Sequence, residues 1–224
     1  MWNKEQDMQE LDSMLSQLPR EILQEKLNKV REIMTYYHCA MLEMETKLNV
    51  LNKQFALQNE RNPIESIKTR LKSMPSIREK LIRRGIEPDI DNIESNIYDV
   101  AGVRVICSFV DDIYMLADCL CQQDDIKVIE KKDYIKAPKP NGYRSLHLIV
   151  EIPIFLHKEK RMMKVEVQLR TIAMEFWANL EHKLRYKKGL SEEQEKKIGE
   201  GLSECAEISA SLDEKMYNIR NMIL

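Results

Sequence analysis

Between residues 101 and 170 the sequence changes period, and that change limits the possible folds more than any other feature of the chain. The segments "AGVRVICSF" (101–109), "IKVIEKKDYI" (126–135), "YRSLHLIVEI" (143–152) and "MMKVEVQLR" (162–170) alternate apolar with polar residues and are rich in β-branched side chains. Each reads as a strand. The helical segment "DDIYMLADCLCQQ" (111–123) joins the first two. On either side the apolar residues return to helical spacing. Residues 5–58 form a helical arm broken only near Pro19, and Pro63 to about Arg84 reads as a second helical stretch, closed by Gly85 and Pro88. From Thr171 the chain is helical again, interrupted around Gly189, with Ser191 as an N-cap. This order predicts an α+β fold, a mixed or mostly antiparallel sheet flanked by N- and C-terminal helices. Three regions are expected: an arm (1–58), a sheet-bearing domain (59–188) and a C-terminal helix (189–224).

Composition removes several classes of function. Lys and Arg total 35 against 37 Asp and Glu, a net charge of -2, so no overall basic field draws the chain to nucleic acid or lipid. Any anion site must be local. The five cysteines are scattered with no paired or zinc-type spacing, which suits a reducing compartment. The first residues lack a secretory pattern, and no apolar run reaches the ~18 residues of a membrane span. A cytoplasmic protein with no membrane partner is expected.

The local anion site is visible in "SIKTRLKSMPSIREKLIRR" (66–84), which holds seven basic residues and only Glu79 as an acid. Pro75 lies near the start of a helix, where free N–H groups can face an anion. Ser76, Lys80 and Arg83 then follow on one face. Alone, such a run is also how a solvated helix face looks. Its company is acidic: alternation in "MMKVEVQLR" sends Glu166, Gln168 and Arg170 to the face opposite Val165, Val167 and Leu169, and Asp99 precedes the strand that carries Arg104. Two carboxylates beside phosphate-binding cations suit Mg²⁺ and a nucleotide. In "KPNGYRSLH", Tyr143, Ser145 and His147 share a face, where the tyrosine ring can stack on a base and Lys139 and His147 can meet phosphates. Asn141 and Gly142 would let backbone approach the ligand closely.

Together "TRLKSMPSI", "YDVAGVR", "DYIKAPKPNGYRSLH" and "VEVQLRTIAMEFWANLEH" resemble the synthetase domain of the Rel/Spo alarmone enzymes, specifically the small single-domain bacterial synthetases, over roughly residues 60–190. The resemblance implies a nucleotidyltransferase-like α+β core, homotetramers built through terminal helices, and transfer of the β,γ-pyrophosphate of ATP to the 3′-hydroxyl of GDP or GTP. By position, it implies adenine contacts at Arg70 and Arg104 and ATP-phosphate contacts at Lys72, Ser76, Lys80 and Arg83. Mg²⁺ falls to Asp99 and Glu166, with Gln168 beside the reacting ribose and Glu166 as metal ligand, general base or both. Tyr143 stacks on guanine, and Lys139 and His147 take the acceptor's phosphates. Glu175 stands where some relatives have asparagine; it accepts from the guanine edge or points to solvent. The hydrolase of the larger relatives is expected to be absent, because only His38 precedes the synthetase region and no His-Asp dipeptide occurs. Two other classes fit the same residues: a nucleotidyltransferase that releases pyrophosphate, and a nucleotide or single-stranded RNA binder without catalysis.

Overall fold

The computed structural model describes residues 20–58, 62–185 and 191–223. The expected breaks at Pro19 and Gly189, and the helix read over residues 5–19, lie outside them. The elements are α1 (Arg20–Gln58), β1 (Ile64–Leu71), α2 (Met74–Arg83), a 3₁₀ turn (Ile90–Asn92), α3 (Ile93–Asn96), β2 (Ala101–Cys107), α4 (Val110–Cys121), β3 (Lys127–Asp133), β4 (Leu146–Phe155), β5 (Lys160–Thr171), α5 (Ile172–Arg185) and α6 (Glu192–Ile223). Five strands form one mixed sheet in the order β1-β2-β5-β4-β3. β2 and β5 run parallel at its centre, and the other neighbours are antiparallel.

One expectation is overturned. "IESIKTRL" is strand β1 rather than the start of a helix. Ile64, Ile67 and Leu71 are spaced as a helix would space them, but three residues of the segment are β-branched and β2 offers it a ladder from Ile64↔Cys107 to Leu71↔Ala101. Tertiary pairing outweighs the weak helical pattern. The helix begins only at Met74, after Ser73, with Pro75 in its first turn as expected. β4 starts at Leu146, later than the expected Tyr143. Ser145 is fully buried and donates to the Leu169 carbonyl (3.3 Å), so it leaves the face expected to carry Tyr143 and His147.

One face of the sheet is the core. Val103, Val105, Leu148, Val150, Val165, Val167 and Leu169 point into it and are at most 1% exposed. They meet α1 through Met34, Tyr37, Met44 and Leu48, and α4 through Ile113, Leu116 and Leu120. Each such side chain contributes roughly 1.5–3 kcal/mol by leaving water. α1 is therefore a layer of the same core as the sheet. Among the described residues no helix is long and apolar enough to cross a membrane.

The other face is open at its centre and closed at one end by α5 and α6. Trp177, Leu202 and Ala206 form a small second core there, with the Trp177 indole donating to the Leu202 carbonyl (2.8 Å). Polar ties add to it: Thr171 donates to Asp213 (2.7 Å), and Arg220 forks onto Asp111 (3.0 and 2.8 Å). The loop that carries Tyr143 is pinned against α6 at Gly142, whose φ is +86°. A Cβ on Gly142 would lie 2.5 Å from the Ala206 Cβ. The glycine at 142 is thus required by the helix packed against it. Gly142→Ala combines left-handed strain with this clash and should cost on the order of 1–2 kcal/mol or more. Thermal melting is expected to show a Tm lower by roughly 2–8 °C for a chain of this size.

Candidate active site

Strand register sets the open face in rows. Lys132, His147, Gln168, Arg104 and Lys68 stand opposite one another in turn across β3, β4, β5, β2 and β1. In the next row Glu166 lies opposite Gly102, and Gly102 opposite Arg70. Because Gly102 has no side chain, a hollow opens between a carboxylate and a guanidinium. The resulting cleft, about 320 Å³, is lined by Lys68, Arg70, Lys72, Asp99, Arg104, Glu166 and Gln168.

Asp99 enters from the segment before β2. Its Oδ2 accepts from Lys72 (2.7 Å) and Lys80 (2.6 Å), joining the end of β1 to α2. Burial pushes the Asp99 carboxyl up, but the hydrogen bonds and charges of the two lysines outweigh it and hold the group below its usual range. Its Oδ1 is buried and has no hydrogen-bond partner. Burial likewise pushes Glu166 up; the hydrogen bond and charge of His147 and the bond from Gln168 bring it below the usual value, against the charge of Asp99. Two ionised carboxylates on one cleft, one with an unpartnered oxygen, fit a hard cation that completes its shell with phosphate and water oxygens. Among the described residues, no three His, Cys, Asp or Glu side chains form a full metal cage.

Beside this cleft lies an aromatic cluster. Tyr143 meets His147 edge-on (5.8 Å) and Tyr134 at 6.1 Å, and Lys139 Nζ sits over both tyrosine rings, 4.8 Å from Tyr143 and 4.6 Å from Tyr134. His147 links the cluster to the cleft: Nε2 is 2.8 Å from the Tyr143 hydroxyl and Nδ1 is 3.3 Å from Glu166 Oε1. The structure thus brings together Arg70, Lys72, Lys80, Asp99, Arg104, Glu166 and Gln168, with Lys139, Tyr143 and His147 adjoining. Ser76 bonds Ser73 (3.0 Å) at the start of α2, and Arg83 is exposed further along that helix. Neither lines the cleft. The Ser73 side chain does not cap α2, which leaves first-turn N–H groups for an anion.

Three side chains were not singled out correctly from sequence. Tyr134 packs against His147 (5.3 Å) and Tyr143. Arg170 is 4% exposed and forks, Nη1 to Glu175 Oε2 (2.8 Å), Nη2 to the Tyr143 hydroxyl (2.6 Å) and to Gln168 Oε1 (3.0 Å). Of the two expectations for Glu175, exposure to solvent is overturned: it is buried among Arg170, Arg104 (3.2 Å) and Lys68 (3.4 Å). Its place in the first turn of α5, near the positive end of the helix, adds to that stabilisation.

The profile of the region found in RelA / SpoT proteins matches residues 69–191, which include every cleft residue named above except Lys68. The chain belongs to the RelA/SpoT family. It is 46% identical over 187 residues to GTP pyrophosphokinase YwaC of Bacillus subtilis, covering 84% of this chain and 88% of that one. Among solved structures, it resembles small alarmone synthetase 2 from B. subtilis, with 42% identity, a TM-score of 0.76, and 86% of this chain and 98% of that one covered. Small alarmone synthetase 1 from the same organism, bound to its product pppGpp, matches with 35% identity and a TM-score of 0.78, over 86% of this chain and 97% of that one. The nucleotidyltransferase-like α+β fold expected from the motifs is the fold these family members share.

The lysine pair on Asp99 makes a pH-dependent contribution to stability. A carboxyl whose folded pKa lies below its unfolded value stabilises the fold above the unfolded pKa, about 3.9, and loses that effect as pH falls through the folded value. Asp99→Asn should therefore melt lower than the parent near pH 7, where Lys72 and Lys80 lose their partner. The gap should close as melting is repeated from about pH 4 downward. A gap that stays constant with pH would show that the charge of Asp99 is not what holds these helices and strands together.

Proposed function

We propose that this chain is a small alarmone synthetase: a GTP pyrophosphokinase that transfers the β,γ-pyrophosphate of ATP to the 3′-hydroxyl of GDP or GTP. The observation that carries the reading is the cleft itself, where the Asp99 and Glu166 carboxylates face Arg70, Lys72 and Arg104 on one side of the sheet. Such a site suits phosphoryl chemistry, which depends mainly on placement and on charge stabilisation. In this reading Arg70 and Arg104 clamp adenine, and Lys72 and Lys80, with Ser76 in the first turn of α2 and Arg83 at its end, hold the triphosphate. Tyr143 stacks on the guanine of the acceptor, Lys139 and His147 hold its phosphates, and Gln168 lies beside its ribose. The acceptor oxygen attacks the β-phosphorus in line, the bond from that phosphorus to the α,β-bridging oxygen breaks, and AMP leaves. Glu166 takes the hydroxyl proton as general base. Asp99 and Glu166 would hold Mg²⁺, which when bound would supply positive charge to offset the phosphate oxygens.

The test is incubation with labelled ATP and GDP or GTP, with the products identified. AMP and a 3′-pyrophosphorylated guanine nucleotide are expected; release of pyrophosphate would indicate nucleotidyl transfer instead. Glu166→Gln keeps the shape and removes the charge, so turnover should drop by at least ~100-fold while the Tm stays near that of the parent. Near-normal turnover in a folded variant would remove Glu166 from the reaction.

We also propose that α6 assembles the protein into tetramers. Ile208, Leu212, Met216 and Ile219 lie on one side of α6 and are 48–62% exposed, and Phe176 and Leu180 are exposed on α5. That is a long apolar stripe to leave in water. Light scattering at micromolar concentration should give four times the mass of the chain, and a monomer would refute the assembly.

A further inference from the structure

The polar side chains of the site close into a ring. Arg104 donates to Glu175, Arg170 joins Glu175 to Tyr143, and Tyr143 contacts His147. His147 then contacts Glu166, Gln168 donates to Glu166 (2.7 Å), and Arg104 Nε returns to Gln168 (3.4 Å). Glu175 is the charged member that touches both halves, beside Gln168, whose neutral Oε1 accepts from both Arg104 (3.4 Å) and Arg170 (3.0 Å). Its Oε1 holds Arg104 of β2 and Lys68 of β1, on the side read as the ATP subsite. Its Oε2 holds Arg170, whose other nitrogen fixes the Tyr143 hydroxyl on the acceptor side.

We propose that Glu175 is a positioning residue that couples the two nucleotide subsites, so that occupation of one by ATP strengthens binding of the guanine nucleotide in the other. This rests on the reading of Arg104 as an adenine contact and Tyr143 as the acceptor's stacking ring. A carboxylate this buried needs cationic partners, and it shares its charge among three. When adenine draws the Arg104 guanidinium toward itself, the charge of Glu175 falls more fully on Arg170. The Arg170 fork then holds Tyr143 and Gln168 more firmly, and less ordering remains for the acceptor to impose. Coupling between two bound ligands is reciprocal, so the guanine nucleotide must strengthen ATP binding by the same factor.

The experiment is calorimetric titration of GDP into the full chain, with and without a saturating non-hydrolysable ATP analogue. The parent should bind GDP at least ~5-fold more tightly with the analogue present, the low end of typical coupling. In Glu175→Gln, which keeps the shape of the side chain but not its charge, the ratio should fall to about 1, while each nucleotide still binds alone. Arg170→Lys keeps the charge and loses the fork, and should abolish coupling in the same way if the glutamine variant does not fold. Glu175→Asp, which keeps the charge, should restore part of it. A merely structural role would lower the Tm and weaken both nucleotides without changing the ratio. An unchanged ratio in a folded Glu175→Gln, or no coupling in the parent, overturns this inference and leaves the synthetase reading intact. Failure of GDP to bind at all, together with absence of pyrophosphate transfer, overturns both.

Discussion

The parallel pairing of β2 with β5 is the constraint on which the site depends. It sets Gly102 opposite Glu166 and Arg104 opposite Gln168. A slip of β5 by one residue would turn Glu166 and Gln168 into the core and send Val165 and Val167 to the open face. What prevents the slip is on the far side of the sheet, where α1 and α4 cover the valine stripes. The apolar packing of one face thus specifies the chemistry of the other. No residue of α1 lines the cleft, yet α1 helps to hold its register.

The carboxylates of the site are matched before any substrate arrives. Asp99 is held by two lysines, and Glu175 by one lysine and two arginines. Burying isolated charges would be prohibitive, and a cleft of unmatched cations would self-repel. In the proposed function, nucleotide would bind by exchange of partners, with phosphate oxygens replacing carboxylates around the same lysines. Such preorganised groups need little rearrangement as charge shifts during the reaction.

Much of this was legible in the sequence where one residue's role follows from its neighbours in the chain. Alternation in "MMKVEVQLR" placed Glu166 and Gln168 on the open face, and Arg104 was marked by its place on the strand that follows Asp99. β1 was misread because an edge strand can carry Ile64, Ile67 and Leu71 at helical spacing, and only its ladder with β2 decides the matter. The apolar stripe of α1 did not say whether it packs on the chain's own sheet or elsewhere. Tyr134, Arg170 and Glu175 were hidden for a shared reason: their partners come from distant segments. Arg170 lies on the polar face, as alternation requires, yet it is buried beside Glu175 of α5 and Tyr143 of the loop before β4.

The position of α1 in the chain has a consequence for how the protein is made. Its buried side, with Met34, Tyr37, Met44 and Leu48, packs against strands that include β4 and β5, far downstream. On a ribosome α1 emerges before them, and at ~5–20 residues per second roughly 5–20 seconds pass before those strands follow. For that interval a long amphipathic helix is in water with its seat unmade. The newborn chain is therefore a natural client for factors that shield apolar surface during synthesis, and slow translation through β3 and β4 would lengthen that exposure.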